Sequence, residues 1–278
     1  MEQKMFSIVV VSLNAGEKLL KTIDSIVSQT YSDYEVVVKD GGSKDGSVDA
    51  LREKLSSFPE EWKERIHIFE EKDGSIYEGM NQAVEKTTGK YLYFLNCGDY
   101  FYSNEALEQL AWGIQAKEDM EAHHKIYYGD IYDALRGNIV ASNPKLDGFG
   151  LYRNVPCHQA CFYERSLFEK RGYKPEYKVR ADYEHFLYSV YKEDAKPCYI
   201  SAVLASYEGG GFSETKENRK RSEKERREIV KQYMGLGQRM WYRTLLLLTL
   251  APLRTRIAED PKLASGYNRV KNFVYGRK

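Results

Sequence analysis

The sequence predicts an α/β fold built on a mostly parallel, doubly wound sheet with helices on both faces. Short apolar runs such as Phe6–Val11 and Tyr91–Leu95 are nearly continuous, which is typical of strands covered on both sides. Apolar residues at helical spacing follow these runs, as in Glu17–Gln29. Strands and helices therefore alternate along the chain, which favours parallel pairing through helical crossovers.

The first third of the chain shows this alternation most clearly. Its predicted elements are strand Phe6–Val11, helix Glu17–Gln29, strand Tyr34–Val38, helix Val48–Leu55, strand Ile66–Phe69, helix Ile76–Lys86 and strand Tyr91–Leu95. In the helices the apolar side chains recur three or four residues apart, and polar or glycine residues separate the elements. This spacing is that of repeated strand–helix units.

The remainder has weaker periodicity but the same kinds of element. Its predicted elements are helix Ala106–Ile114, strand Ile126–Tyr132, strand Cys157–Tyr163, short helix Ser166–Lys170, helix Ala181–Tyr191, strand Cys198–Ala205 and helix Lys216–Tyr233. The last of these is strongly charged, and a loop rich in glycine and proline precedes Cys157.

The composition is that of an ordinary globular protein, with 278 residues of which 30% are charged and 42% apolar. No run of about 18 apolar residues occurs, so no transmembrane helix is predicted. The first strand is too short to be the apolar core of a secretory leader, and we expect a cytoplasmic protein. The four cysteines show no C-x-x-C spacing, which argues against a zinc ribbon or a disulfide framework.

The charge is distributed unevenly between two parts of the chain. Residues 216–278 carry 17 basic and 6 acidic residues, a net charge of +11, whereas residues 1–215 carry −10. The sequence therefore predicts a catalytic or binding domain over residues 1–215 and a basic, helical C-terminal extension over residues 216–278. Such an extension suits an anionic partner, and no nucleic-acid-binding module accompanies the charge.

Polar loops follow three of the predicted strands: Ser12–Gly16, Asp40–Ser47 and Asn96–Tyr100. The carboxyl ends of parallel strands lie at one edge of a sheet, so these loops should converge on one ligand. Neither the G-x-G-x-x-G fingerprint nor the P-loop pattern is present. Taken singly, each loop is also consistent with a simple tight turn.

Several ordered motifs resemble a known family. They are V-V-V-S-L-N, V-V-V-K-D-G-G-S-K-D-G-S, D-G-S-I-Y-E-G-M-N, Y-L-Y-F-L-N-C-G-D, P-C-H-Q-A-C-F-Y and R-A-D-Y-E-H-F-L. In this order they resemble family 2 of the inverting glycosyltransferases, which have the GT-A fold, a Rossmann-like sheet flanked by helices. The resemblance covers roughly residues 5–215 and not the last sixty.

The resemblance implies a nucleotide-sugar donor, UDP-linked, bound by the first half of the chain. The matching donor positions are Ser12, Asn14, Asp40, Asp73, Asn81, Asn96 and Asp99. Asp40 matches the carboxylate that pairs with the uracil ring. Asp73 and Asn81 match polar positions that border the donor sugar.

The resemblance also implies a divalent metal, Mn²⁺ or Mg²⁺, at the turn after Leu95. Two positions depart from the family's D-x-D pattern, because Asn96 stands at its first carboxylate and Gly98 at its second. Asp99 is then the only carboxylate of the turn that could bind the metal. A non-catalytic subunit that binds a nucleotide sugar, or a sugar nucleotidyltransferase, stays as an alternative.

The acceptor side is implied by the second half of the chain. Asp182 matches the family's catalytic base, which an inverting transfer needs to take a proton from the acceptor hydroxyl. Glu184 suits helix capping or an acceptor contact. For His158 and Gln159 the resemblance implies a place near the acceptor or the diphosphate, and a half-buried structural histidine is the alternative. Residues 209–213, G-G-G-F-S, resemble a flexible loop that closes over the diphosphate.

The most apolar stretch is Met240–Leu253, within the basic extension. It is too short to span a bilayer, and arginines flank it. It therefore suits an interfacial helix on an anionic inner membrane leaflet, or equally a helix that packs on the catalytic domain or on a second subunit. A glycan or a lipid-linked sugar is the expected acceptor.

Overall fold

The computed structural model of the protein describes residues 3–117, 122–209 and 215–249, with a few single residues between 257 and 270. Its strands are β1 (Phe6–Ser12), β2 (Tyr34–Asp40), β3 (Ile66–Glu70), β4 (Tyr91–Phe94), β5 (Tyr100–Phe101), β6 (His124–Asp133), β7 (Asn138–Val140), β8 (Cys161–Glu164) and β9 (Ala195–Tyr207). Its longer helices follow the apolar periodicity of the sequence, and shorter ones join them. They are α1 (Glu17–Val27), α2 (Ser47–Ser56), α3 (Glu60–Arg65), α4 (Ile76–Val84), α5 (Ala106–Gln115), α6 (Gly148–Arg153), α7 (Ser166–Glu169), α8 (Ala181–Lys192), α9 (Lys216–Tyr233) and α10 (Leu236–Leu248).

The described strands form one sheet in the order β3-β2-β1-β4-β8-β6-β9-β5, with β7 paired to β6. The four strands from the first third of the chain are parallel to one another, as the alternation predicts. In the second half β8 lies antiparallel between β4 and β6, whereas β9 runs parallel to β6. The predicted α/β class is confirmed.

The core lies on both faces of the sheet because the strands are buried on both sides. Ile8 and Val10 of β1 face a cluster that includes Ile23 of α1. Val9, between them, faces the opposite cluster, which includes Phe186 of α8. Successive side chains of a strand point to opposite faces, so a continuous apolar run such as β1 fills both clusters.

One predicted strand is wrong in its first half. Residues Cys157–Tyr163 were predicted to be one strand, but His158–Ala160 form a 3₁₀ turn and β8 begins only at Cys161. The Ala160 N–H donates to the Cys157 carbonyl over 2.9 Å, which closes this turn. Pro156 precedes it, and such a residue favours a turn over a ladder strand.

The basic extension begins with a helix that packs on the rest of the chain. Ile229 and Val230 of α9 are buried in the same core cluster as Phe186. In α10, Tyr242 contacts the rings of Phe149 and Tyr152, with centroids 5.7 and 5.5 Å away. The boundary after residue 215 stays a prediction, and residues 250–253 of the apolar stretch lie outside the described residues. Within the described part of the chain, no helix has the length and apolarity that a membrane crossing requires.

Candidate functional site

A cleft of ≈ 590 Å³ lies where β4, β6 and β9 end. These strands run in the same direction, so their carboxyl ends meet at one edge of the sheet. This edge is the usual position of ligand sites in open α/β sheets. The start of α4, the turn His158–Ala160 and the segment that precedes α8 enclose the cleft on its other sides.

Asp99 lies in the turn after β4 and lines the cleft, although it is 5% exposed. Its Oδ2 accepts a hydrogen bond from Gln159 Nε2 over 2.7 Å, and its Oδ1 accepts one from the Glu208 N–H over 3.0 Å. Burial raises the pKa of the Asp99 carboxyl to about 6, and these two hydrogen bonds limit the rise. The sequence predicts Asp99 at the metal and Gln159 near the acceptor or the diphosphate, and the structure brings the two side chains into direct contact.

A carboxylate residue at Gly98, where the family pattern would place one, would be strained. Its φ of +102° is a left-handed conformation, which glycine adopts readily and other residues rarely do. A Cβ at this position would lie 2.7 Å from Glu208 Oε2. Glu208 is in turn paired with Lys18 over 2.5 Å. The Glu208 carboxylate, which follows β9, therefore lies next to Gly98, the position at which the turn itself has no carboxylate.

Asn96 lines the same cleft with an oxygen that has no partner. Its Oδ1 is buried, and no described residue donates a hydrogen bond to it. Buried polar atoms in native proteins are nearly always paired, so an unpaired acceptor in a cleft indicates a ligand. The Ser12 side chain is buried nearby, beside the Cys97 thiol.

The first two loops converge as the sequence predicts. Asn14 Oδ1 accepts from the Lys44 N–H over 2.9 Å, and the Asn14 N–H donates to Ser43 Oγ over 2.7 Å. Asp40 is fully buried, and its Oδ2 accepts from the N–H groups of Gly42 and Ser43. Asp40 thus shapes its own loop, and its contact with a nucleotide base stays a prediction.

Asp73 forms a buried ion pair with Lys39 of β2 rather than lining the cleft. Two glycines make room for it, since a Cβ at Gly41 or Gly79 would come within 2.9 Å of Asp73 Oδ2. A lysine buried to this degree needs an anion beside it. Through this ion pair, Asp73, which precedes α4, is connected to β2 at the start of the second loop.

Asn81 is also not brought to the cleft, although the sequence suggested a contact with the donor sugar. Its Nδ2 donates to the Tyr173 carbonyl and its Oδ1 accepts from the Tyr173 N–H, each over 2.8 Å. Gly172 allows this approach, because a Cβ there would lie 2.2 Å from Asn81 Oδ1. Asn81 fastens α4 to the loop before α8, a pairing between distant residues that spacing does not reveal.

His158 lies in the cleft wall with its ring between Phe94 and Tyr173, at centroid distances of 5.3 and 6.0 Å. Neither ring nitrogen has a partner among the described residues. Burial lowers the pKa of His158, and the nearby Asp182 opposes this effect. A neutral imidazole offers one donor and one acceptor, which a polar ligand in the cleft can satisfy.

Asp182 lies in the first turn of α8 and lines the cleft. Its Oδ1 accepts a hydrogen bond from the Tyr77 hydroxyl over 3.1 Å. The same hydroxyl lies 3.0 Å from the Val179 carbonyl oxygen, so Tyr77 of α4 ties the carboxylate to the segment before α8. The N-cap residue of α8 is Arg180, which makes no side-chain capping hydrogen bond. No described residue other than Tyr77 donates a hydrogen bond to the Asp182 carboxylate.

Glu184 does not reach the cleft, which corrects its placement on the acceptor side. Its side chain is fully buried and is paired with Arg171 over 2.9 Å and Lys174 over 3.5 Å. The Tyr233 hydroxyl of α9 donates to the same carboxylate. Two residues apart on a helix, Asp182 and Glu184 point in different directions, and only the first faces the cleft.

Sequence reasoning missed Tyr77, whose hydroxyl donates to Asp182. The sequence predicts this residue only as part of the helix Ile76–Lys86. The signal for Tyr77 was weak, because tyrosine at helical spacing is more often a core residue. Residues 210–214, most of the predicted closing loop, lie outside the described residues.

Comparison with known proteins decides the family. Residues 7–172 match the family model described as glycosyl transferase family 2. The chain is 34% identical over 217 residues to a PGL/p-HBAD biosynthesis glycosyltransferase of Mycobacterium bovis strain BCG, covering 77% of this chain and 81% of that protein. The chain belongs to glycosyl transferase family 2. An uncharacterized glycosyltransferase of Mycobacterium tuberculosis is 28% identical over 215 residues, 76% of this chain and 78% of that protein.

Solved structures of other glycosyltransferases share the fold. The S. aureus TarS fragment 1–349 in complex with UDP-GlcNAc superposes with a TM-score of 0.60 at 15% identity, covering 83% of this chain and 71% of that one. Another S. aureus TarS crystal structure is matched over 37% of that chain. The mannosyltransferase PcManGT from Pyrobaculum calidifontis, in complex with GDP-Man and Mn²⁺, gives a TM-score of 0.60 at 14% identity, covering 96% and 84%. The predicted GT-A architecture of this family 2 chain is thereby confirmed.

A divalent metal fits the donor side of the cleft if the substrate supplies most of its ligands. Within the described ranges no three His, Cys, Asp or Glu side chains come together as a metal cage. The unpaired Asn96 Oδ1 and the cleft-lining Asp99 carboxylate are nevertheless the hard oxygen ligands that Mg²⁺ and Mn²⁺ accept. Such ions commonly use one or two carboxylates together with substrate phosphates.

Proposed function

We propose that this family 2 protein is an inverting glycosyltransferase that moves a sugar from a UDP-sugar to a hydroxyl group of a glycan or lipid-linked acceptor in cell-envelope biosynthesis. The observation that supports this most is one cleft lined by Asp99 at a strand end and by Asp182 at a helix start. The two carboxylates belong to different walls of the cleft, which suits a donor on one side and an acceptor on the other. The family and its mycobacterial relative support the reaction class.

The residues present suit the roles that an inverting transfer requires. Asp182, held by the Tyr77 hydroxyl, takes the proton of the acceptor hydroxyl as that oxygen attacks the anomeric carbon. The bond to the diphosphate breaks on the opposite face of the sugar. His158 and Gln159 lie between these two positions, where neutral donors can hold the sugar or the diphosphate.

Asp99 and Asn96 would hold the metal, which supplies positive charge to the departing diphosphate. The Mn²⁺ in the PcManGT complex supports this proposal at the level of the fold. Lys18 and Arg136 also line the cleft, although each is paired with a carboxylate, Glu208 and Asp133. A metal held by Asp99 and Asn96 would therefore supply positive charge that these paired cations offer only in part.

A donor screen tests the proposal. The protein is incubated with UDP- and GDP-sugars, with Mn²⁺ and with EDTA, and binding and slow donor hydrolysis are measured. We expect a UDP-sugar to bind in the presence of Mn²⁺ and to be consumed. The configuration at the anomeric carbon of the product, read by proton NMR, should be opposite to that of the donor. Retention of configuration would contradict the inverting reaction, and exclusive binding of GDP-sugars would contradict the UDP donor.

The crowding at Gly98 supports one alternative, a subunit that binds a nucleotide sugar without catalysis. Its turn offers a single carboxylate where the family pattern has more. Donor hydrolysis separates the two functions, because a catalytic cleft hydrolyses the donor in a manner that depends on Asp182. Tight donor binding with no hydrolysis and no transfer to any acceptor would favour the binding subunit.

We also propose that the C-terminal part contacts an anionic membrane surface. A groove of ≈ 240 Å³ between α9 and α10 is lined by basic side chains without any carboxylate in its wall. The basic residues are Arg226, Arg227, Lys231, Arg239 and Arg243. Beside it α10 exposes Met240, Trp241, Leu247 and Leu248, each more than half exposed. Basic charge beside apolar and aromatic side chains suits an interfacial helix.

Vesicle binding tests this contact. The whole protein should sediment with vesicles that contain phosphatidylglycerol and much less with phosphatidylcholine alone, and salt should weaken the binding because it screens charge. Trp241→Ala with Leu248→Ala should lose the part of the binding that resists salt. If the double variant instead changes the oligomeric state and not vesicle binding, α10 is an interface between subunits.

A further inference from the structure

The charged helix α9 contacts the segment that leads into α8. Glu225 of α9 is 5% exposed, and its carboxylate accepts hydrogen bonds from three successive backbone N–H groups. Oε1 accepts from Lys178 over 3.0 Å, and Oε2 accepts from Val179 over 3.0 Å and Arg180 over 2.9 Å. Successive N–H groups that converge in a turn form a concave anion site, and here a side chain of the same chain fills it.

A second residue of α9 holds the same segment. Ser222 lies three residues before Glu225, so both side chains are on one face of the helix. The Ser222 hydroxyl accepts from Arg180 Nε over 2.7 Å. On the other side of the guanidinium, Nη1 donates to Asn154 Oδ1 over 3.0 Å. Residues Lys178–Arg180 are therefore fixed from α9 through both main chain and side chain.

The segment fixed in this way forms part of the cleft wall. Lys178, Val179 and Arg180 line the cleft together with Asp182. The Val179 carbonyl oxygen and Asp182 Oδ1 are both within hydrogen-bond distance of the Tyr77 hydroxyl. A shift of the segment would therefore move the Tyr77 hydroxyl and Asp182 relative to each other.

We propose that Glu225 is a positioning residue for Asp182, an inference that rests on the proposed role of Asp182 as the base. Glu225 holds the three N–H groups before α8 and so fixes where the helix begins. Because Glu225 supplies the anion at this turn, Asp182 is not drawn into capping and keeps its carboxylate for the acceptor. The part of the chain after residue 215 then belongs to the catalytic apparatus, although it lies outside the family match at residues 7–172.

Glu225→Gln tests the contact with little change in size. A glutamine has one side-chain oxygen to accept from three N–H groups. Its NH₂ group, which is also a donor, would face at least one of these N–H groups and could not bond to it. We expect faster hydrogen exchange at the amides of Lys178–Arg180, and kcat for sugar transfer should fall at least tenfold with unchanged donor affinity. Glu228→Gln is the matched control, because Glu228 lies on the same helix with a half-exposed side chain. It should change neither quantity.

Two further variants separate positioning from general stability. If Glu225→Gln lowers the melting temperature too far for kinetics, Ser222→Ala removes only the bond to Arg180 and should lower kcat less, again without a change in donor affinity. A double variant of Glu225→Gln with Asp182→Asn should be no slower than Asp182→Asn alone, because Glu225 acts through Asp182.

The outcomes distinguish this inference from the proposed function. Unchanged hydrogen exchange in Glu225→Gln, or faster exchange with an unchanged kcat, would overturn the positioning role. The positioning role would also be overturned if the fold-reductions in kcat of the two single variants multiplied in full in the double variant. If Asp182→Asn alone keeps its turnover, the assignment of the base fails, while the exchange experiment still reports whether Glu225 holds the segment.

Discussion

The two walls of the cleft are built in different ways. On the donor side, each loop follows a parallel strand, and its polar groups come from short motifs that are continuous in sequence. Beside the cleft, Asn14 reaches Lys44 of the next loop, and the Asp40 side chain bonds within its own loop, although neither residue lines the cleft. On the opposite wall, Asp182 is bonded to Tyr77 of α4, and the segment before it is bonded to Glu225 of α9.

Because of this difference, we expect the two walls to respond differently to substitutions. A strand-end loop keeps its position as long as the sheet is intact, because the buried strands fix its two ends. The segment before α8 has no such frame and is held by side chains from other elements, among them Tyr77, Asn81 and Glu225. We therefore expect substitutions on the donor side to alter ligand binding, and substitutions on the acceptor side to alter turnover.

The largest expected effect comes from Asp182→Asn. Sugar transfer should fall by about 100-fold to 10,000-fold, the usual value of a positioned base, while donor affinity stays unchanged. The melting temperature should hardly move, because asparagine has the same shape and its amide oxygen can still accept from the Tyr77 hydroxyl. Glu184→Gln is the contrasting variant, since it breaks a buried ion pair and should cost about 3 to 5 kcal/mol of stability. Turnover near that of the parent in Asp182→Asn would place the base elsewhere.

Asp99→Asn should abolish the Mn²⁺-dependent part of donor binding. The variant keeps the shape of the side chain but removes the negative charge that a divalent cation requires. Calorimetry with a UDP-sugar, with and without Mn²⁺, measures the difference. Asp133→Asn is a control in the same cleft, where the carboxylate is paired with Arg136. An unchanged Mn²⁺ response in Asp99→Asn would remove Asp99 from the metal site.

The same variant should alter how stability depends on pH in metal-free buffer. The folded protein holds the Asp99 proton more tightly than the unfolded chain, because burial raises the pKa from 3.8 to about 6. The stability that this carboxyl contributes is present below about pH 4 and is lost as the pH rises through 6, by up to about 3 kcal/mol. Asp99→Asn should therefore be more stable than the parent at pH 7 and equal to it near pH 4 in denaturant unfolding with EDTA. A difference that does not vary with pH would contradict this.

Asn81→Ala tests whether Asn81 has a structural role or contacts the donor. It removes both hydrogen bonds to the Tyr173 backbone and should lower the free energy of unfolding by about 1 to 3 kcal/mol. Because Asn81 does not line the cleft, the KM for the donor should not change. A raised KM with unchanged stability would instead favour the donor contact that the sequence suggested.

The smallest expected effect is that of Tyr77→Phe. It removes one hydroxyl, which donates to Asp182 at the cleft, and should lower kcat by about tenfold, the equivalent of one ordinary hydrogen bond. Donor affinity should stay the same. Steady-state kinetics at saturating donor measures the change, and a weaker donor affinity with normal kcat would move Tyr77 to the donor wall.

The sequence by itself determined the α/β class, the parallel half of the sheet and the convergence of the first two loops. These features depend on local patterns, because strand burial, helical spacing and turn glycines are each read within a few residues. The motifs that resemble family 2 singled out Asp99 and Gln159 separately, and their contact became visible only in the structure. The sequence did not predict the 3₁₀ turn at His158–Ala160. It also did not predict that the side chains of Asn81 and Glu184 lie outside the cleft.

Only the tertiary structure decided which polar side chains face the cleft. Asp182 and Glu184 are two residues apart and chemically alike, yet the first faces the cleft and the second is buried against Arg171. Which one faces inward depends on how α8 is rotated, and contacts between distant residues hold this region: Tyr77 bonds Asp182 across 105 residues, and Glu225 bonds the Val179 N–H across 46. Contacts at such separations leave no periodic trace in the chain, because they are fixed by packing rather than by local conformation.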